Sequence, residues 1–144
     1  MTSTNDPWFP AQWETGAFPG LNVAVVWGDY RGAGVRVGIV DTGVNYADPE
    51  LAGRFDLIRD HDAVDGDGDA SATGDDGHGL TVARILGATM DNGVDGAGIA
   101  PEVTLVGYRM GARGVRTLAQ EIALLQRQGD VDVSQNSWSY SSQF

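Results

Sequence analysis

The chain has 144 residues and a formal net charge of −11, from 20 acidic side chains against 9 basic ones, all of them arginine. That balance argues against nucleic acid or an anionic membrane surface as a partner, and the absence of cysteine excludes a disulfide framework and a thiol nucleophile. No apolar run approaches the ~20 residues of a membrane span, and the opening Met1-Thr2-Ser3-Thr4-Asn5-Asp6 has neither the basic nor the apolar region of a secretory signal. Trp8, Trp13 and Trp27 read as packing residues. Val35 to Val40 is a short, glycine-bounded run rich in β-branched residues, which predicts a strand buried on both faces. Asp41 stands where that strand ends, at the edge where open α/β sheets hold their reacting groups, and Thr42-Gly43 turns the chain.

Leu80 to Ala88 carries apolar residues at helical spacing, with Asp75 and Asp76 where a helix start favours negative charge. His78 is therefore expected in the first turn of that helix. Val103 to Tyr108 predicts a further strand, and Thr117 to Gln128 a helix with Leu118, Ile122 and Leu125 on one stripe. Val131 to Gln135 predicts another strand. Apolar runs alternating with helical periods indicate a parallel sheet, in which strand carboxyl ends and helix amino ends open onto one rim. Asp41, His78, Arg109-Met110-Gly111 and Asn136-Ser137-Trp138 are all expected there.

The order of Asp41, then His78-Gly79 at a helix start, then Asn136-Ser137-Trp138 after a strand resembles the subtilisin family of serine proteases. Asp6-Pro7-Trp8-Phe9-Pro10-Ala11-Gln12-Trp13 and Leu21-Asn22-Val23 are similar to the opening of its kexin and furin branch. The similarity runs from about Asp6 to Trp138. It implies a Rossmann-like three-layer α/β/α fold, of which residues 1–144 form the amino-terminal portion of the catalytic domain, an incomplete half whose serine-bearing carboxyl-terminal portion is absent. Leu80 departs from the family's usual Thr after His-Gly, and Ser139 stands where Gly is usual. The family's propeptide is also missing from this sequence; a mature chain explains that, as does export by a carboxyl-terminal signal.

The resemblance gives Asp41 the role of orienting His78, and His78 that of general base and then acid toward a serine in a Gly-Thr-Ser segment this sequence lacks. The serines at 137, 139, 141 and 142 are poor substitutes, because Ser137-Trp138-Ser139 matches the strip that pairs with the substrate backbone. Met110-Gly111-Ala112 matches the other strip. Glu121 matches an acidic position farther along the groove, although on a helix it reads equally as a solvated face. Thr42 occupies the place of a second Asp that reads a basic residue in the branch, which argues against a simple dibasic preference.

Asp62 to Asp69 places several carboxylates in one flexible loop, which suits a hard cation with oxygen ligands. No glutamate follows at the twelfth position, so an EF-hand is not expected. By resemblance, Asp62, Asp67 and Asp69 match one calcium site. Asp6, Glu50 and Asn92, with the carbonyls of Thr89, Val94 and Gly96, match a second; Glu50 replaces the family's Asp. The expected function is thus a calcium-dependent serine endopeptidase acting on polypeptides in an extracellular medium, completed by the missing half of its domain. The alternative is an inactive calcium- or partner-binding module derived from such a protease. Asp41-Thr42-Gly43 is also the triplet of aspartic proteases, but those are almost all β and place the Asp between antiparallel strands.

Overall fold

The computed structural model describes residues 4–12, 21–74, 76–111 and 117–139. Strands β1 (Arg36–Asp41), β2 (His61–Asp62), β3 (Thr104–Arg109) and β4 (Val133–Asn136) form one sheet in the order β2-β3-β1-β4. All three pairings are parallel, with Asp41 beside Arg109 and Val40 beside Asn136. Helix α1 (His78–Gly87) and helix α2 (Leu118–Arg127) complete the described regular elements together with three short 3-10 turns. The aspartic-protease reading is overturned by this topology, since Asp41 ends a central parallel strand.

Alternation along the strands separates two cores. Val37, Ile39 and Leu105 face α1 and pack on Ala83, with Leu80 and Leu86 against the cluster. Val40, Val106 and Tyr108 face the other way and pack on Leu124 of α2 together with Met110. A helix therefore covers each face, and β1 is buried throughout after Arg36 because it lies between two strands and two helices. Gly38 is required there, since a Cβ at that position would lie 2.7 Å from the Tyr108 ring. Leu124→Ala would open a cavity in the second core, a change that costs about 2–5 kcal/mol.

The α2 start is a capping box: Thr117 Oγ1 accepts from the Gln120 N–H at 3.3 Å, and Gln120 Oε1 accepts from the Thr117 N–H at 2.7 Å. Its buried residues are Glu121 and Leu124, whereas the stripe Leu118, Ile122 and Leu125 is exposed. At 100° per residue that stripe lies about a quarter turn from the sheet-facing side. Val133 on β4 is exposed as well. Trp27 is buried and donates from Nε1 to the Ile99 carbonyl at 2.9 Å, with Phe9 5.5 Å away ring to ring. Trp8 is exposed, contrary to its expected packing role, and Trp13 lies outside the described residues.

The long connection from β1 to α1 is tied to β3 by Asp60. Its Oδ1 accepts from the Gly107 N–H at 2.6 Å and its Oδ2 from the Tyr46 hydroxyl at 2.6 Å, and that hydroxyl accepts from the Ala70 N–H at 3.0 Å. Burial raises the Asp60 pKa to about 6, against the lowering effect of these donors. The folded state therefore holds the Asp60 proton more tightly than the unfolded chain does. Its contribution to stability is gained as pH falls from about 6 toward the ordinary value of 3.8 and is lost again above about 6. Melting temperature measured from pH 7.5 to 4.5 should show this component, and Asp60→Asn should remove it; an unchanged profile in the variant would refute the assignment.

Candidate active site

Asp41 is 4% exposed at the carboxyl end of β1, and its Oδ1 lies 2.7 Å from His78 Nδ1 in the first turn of α1. A carboxylate can only accept, so the ring proton sits on Nδ1 and the Nε2 lone pair points away from Asp41. The same Oδ1 accepts from the Thr42 N–H at 2.7 Å, while Oδ2 is buried without a hydrogen-bond partner among the described residues. The imidazole is partly open, with 38% of its side chain exposed. Gly79 permits this approach, and Gly43 lets the turn after β1 pass close to Ala72. A Cβ on Gly79 would lie 2.2 Å from the Gly43 carbonyl oxygen, and one on Gly43, whose φ is +120°, would strike the Ala72 backbone at 2.6 Å.

The other rim residues fall as the parallel sheet requires. The Met110 N–H donates to the Asp41 carbonyl at 2.7 Å and the Met110 side chain is buried in the second core, so this residue's amide and side chain are both occupied. Gly111 follows with φ +88°, and Ala112 lies outside the described residues. Ser137 and Ser139 are exposed, and Trp138 packs against the second core while its Nε1 donates to Asn136 Oδ1 at 3.2 Å. Glu121 is buried, so it is not the solvated helix face that its sequence position equally allowed. An open cleft of about 410 Å³ adjoins the start of α1, lined by Val44, Asn45, Ser71, Ala72, Asp76 and Leu80 among others.

The acidic residues separate into two groups. Asp62 is buried and its Oδ2 accepts from Arg109 Nη1, which also reaches Asp65 at 2.9 Å. Burial opposes the Arg109 charge, but the hydrogen bonds to Asp62 and Asp65 outweigh it and raise the pKa. Asp67 Oδ1 accepts from the Asp69 N–H, and Asp69 Oδ1 from the hydroxyl and N–H of Ser71, contacts that lower the Asp69 pKa. The three carboxylates of Asp62, Asp67 and Asp69 are thus not brought to a common point, and no group of three or more His, Cys, Asp or Glu among the described residues could hold a metal. Asp62 is instead engaged by Arg109, a cation 47 residues along the chain that local spacing did not pair with it.

Asp6, Glu50 and Asn92 do come together. Asp6 accepts from the backbone N–H groups of Asp91, Asn92 and Gly93 at 2.9, 3.1 and 3.1 Å. Asn92 Nδ2 donates to Glu50 Oε1 at 3.2 Å, and the Thr89 N–H donates to the Glu50 carbonyl at 2.8 Å. Glu50 Oε2 is buried and has no hydrogen-bond partner among the described residues. Burial raises the Glu50 pKa, with the Asn92 amide opposing and Asp95 reinforcing that shift. Arg84 bridges Asp48 and Asp95 beside this cluster, at 2.6 and 3.1 Å. Val94 is half-buried and Gly96 is buried, where a Cβ would lie 2.6 Å from the Gln12 side chain.

Known proteins bear on this arrangement. The family model described as Peptidase S8, subtilase family, matches residues 32–143. Human furin is 36% identical over 112 residues, covering 73% of this chain and 14% of furin. The minor extracellular protease Vpr of Bacillus subtilis is 36% identical over 135 residues, covering 88% of this chain and 16% of Vpr. The serine protease of Aeromonas sobria, solved with its chaperone, superposes with a TM-score of 0.81 at 26% identity, over 98% of this chain and 26% of that one. The chain therefore spans about a quarter or less of these relatives, and its four-stranded sheet is part of a subtilisin-like α/β fold. Matched from residue 32 through every strand of the sheet, the chain belongs to the subtilase family of peptidases.

Proposed function

We propose that the chain supplies the aspartate and histidine of an Asp-His-Ser triad in a calcium-dependent serine endopeptidase of the subtilisin/kexin type. The observation that carries this reading is the hydrogen bond between His78 Nδ1 and the buried Asp41 carboxylate. With the proton held on Nδ1, Nε2 is free to accept the proton of an attacking hydroxyl, and the imidazolium so formed is stabilised by Asp41. His78 then returns that proton to the leaving amine. The nucleophile belongs to a Gly-Thr-Ser segment outside these 144 residues. The substrate is a polypeptide whose backbone runs along the rim between the strips Met110-Gly111-Ala112 and Ser137-Trp138-Ser139. The rest of the catalytic domain is the partner of β4 and of the exposed Leu118, Ile122 and Leu125. The acidic surface suits an extracellular setting, and no helix among the described residues is long and apolar enough to cross a membrane.

The residues around Glu50 fit a calcium ion. Asp6 and Glu50 are buried carboxylates, Glu50 Oε2 lacks a partner among the described residues, and the Asn92 amide lies beside them, its Nδ2 donating to Glu50 and its Oδ1 accepting from the Val94 N–H. The carbonyls of Thr89, Val94 and Gly96 receive no turn or loop hydrogen bond from a described backbone N–H. Bound there, calcium would supply the positive charge that two desolvated carboxylates otherwise lack. Asp62, engaged by Arg109, does not fit a second ion in this arrangement.

Two outcomes test these readings. The 144-residue chain alone should show no peptidase activity and no labelling by a serine-directed phosphonate; a polypeptide extended through the Gly-Thr-Ser segment should be active and lose activity in His78→Ala. Asp41→Asn in that extended protein should reduce kcat by about 10⁴. Stoichiometric labelling of a serine in the short chain, or activity surviving His78→Ala, would overturn the triad. Calcium should raise the melting temperature by mass action, by less at pH 5 than at pH 7.5 because the raised Glu50 pKa lets protons compete. Asn92→Ala should weaken the binding step seen by calorimetry, and a titration without heat at millimolar calcium would sink the site.

A further inference from the structure

Helix α1 begins without a side-chain cap of its own. Its N-cap is Gly77, which makes no side-chain hydrogen bond, and the first turn contains no acidic residue. The first N–H groups of a helix have no intrahelical acceptor, and leaving them unpaired loosens the turn. Here that turn carries His78. The missing acceptors come from the residue before the N-cap and from the turn after β1. Asp76 Oδ1 accepts from the His78 N–H at 3.2 Å, and Thr42 Oγ1 accepts from the Gly79 N–H at 3.3 Å. The Thr42 hydroxyl donates in turn to Asp76 Oδ1 at 3.1 Å, and the Thr42 backbone N–H donates to Asp41 Oδ1 at 2.7 Å.

These contacts close a ring that runs from Asp41 Oδ1 through Thr42 to Asp76, on to the His78 backbone, and back through the His78 ring to Asp41 Oδ1. Thr42 touches both halves. Its amide fixes the carboxylate, and its hydroxyl is the cap of a helix that starts 36 residues later in the chain. Asp76 is the second member of this link, bonded to the Thr42 hydroxyl and to the His78 N–H, and Gly79 leaves no side chain between α1 and the end of β1 to act as a spacer.

We propose that Thr42, through Asp76, is a positioning residue for the Asp41–His78 pair: a cap supplied across the tertiary structure that holds the imidazole in register with the carboxylate. This rests on the triad reading above. Val is close to Thr in shape but offers neither the acceptor for Gly79 nor the donor for Asp76, whereas Ser keeps both.

Nitrogen-detected NMR of the two imidazoles in the 144-residue chain tests this directly. His61, whose Nδ1 lies 2.9 Å from the Asp67 carbonyl, serves as an internal reference and is assigned through His61→Gln. The unaltered chain should show His78 protonated at Nδ1 with a slowly exchanging proton. In Thr42→Val that resonance should be lost, the ring should shift toward the Nε2–H tautomer, and the Gly79 amide should exchange about fivefold faster, as loss of an N-cap predicts. Thr42→Ser should restore all three signals, and His61 should be unchanged throughout. Asp76→Ala, which leaves Thr42 in place, should reproduce the tautomer change and keeps the test open if Thr42→Val does not fold. A His78 ring unaffected by Thr42→Val, or by Asp76→Ala, overturns the positioning role alone. Absence of the Nδ1 proton in the unaltered chain overturns the triad reading and this proposal with it.

Discussion

A Cβ on Gly79 would sit 2.2 Å from the Gly43 carbonyl and 3.1 Å from the Asp41 Cβ, so the first turn of α1 reaches the end of β1 only because no side chain stands between them. The chemistry at the rim depends on that contact. It sets the Asp41–His78 separation, and through it the tautomer that leaves Nε2 free. It also lets one hydroxyl, that of Thr42, serve a helix far away in sequence.

An acidic chain must also dispose of its buried carboxylates, since an unpaired charge in the interior is costly. Most are satisfied: Asp48 by Arg84, Asp60 by Tyr46 and Gly107, Asp62 by Arg109, and Asp6 by three backbone N–H groups. Among the described residues, the buried carboxylate oxygens without a partner are Asp41 Oδ2 and Glu50 Oε2. Unsatisfied buried groups call for a specific cause. One lies in the proposed triad and the other beside the residues that fit a cation. The same fold that neutralises its other acids leaves polar capacity at these two places.

The second sheet face is less complete. Leu124 and Glu121 turn toward the sheet, but Leu118, Ile122 and Leu125 remain exposed on the flank of α2, and β4, paired among the described residues with β1 alone, carries an exposed Val133. An edge strand beside uncovered apolar groups is a template for further pairing. In the proposed function that surface belongs to the remainder of the catalytic domain, and the isolated chain would carry an aggregation hazard there.

Three of the four strands, both helices, the parallel arrangement and the meeting of Asp41 with His78 were legible in the sequence; the two-residue strand β2 was not. Each depends on short-range features: β-branched runs, helical spacing, glycine boundaries and the position of a polar residue at an element's end. The gathering of Asp6, Glu50 and Asn92 was legible only through family resemblance. What sequence could not decide were the pairings across long chain separations. The burial of Glu121, the exposure of the α2 stripe and of Trp8, the capture of Asp62 by Arg109 and the capping of α1 by Thr42 all follow from which faces and loops the finished sheet brings together. A carboxylate in a flexible acidic loop looks the same in sequence whether its counterion is a metal or an arginine. Only the register of β2 against β3 shows that Asp62 stands beside Arg109.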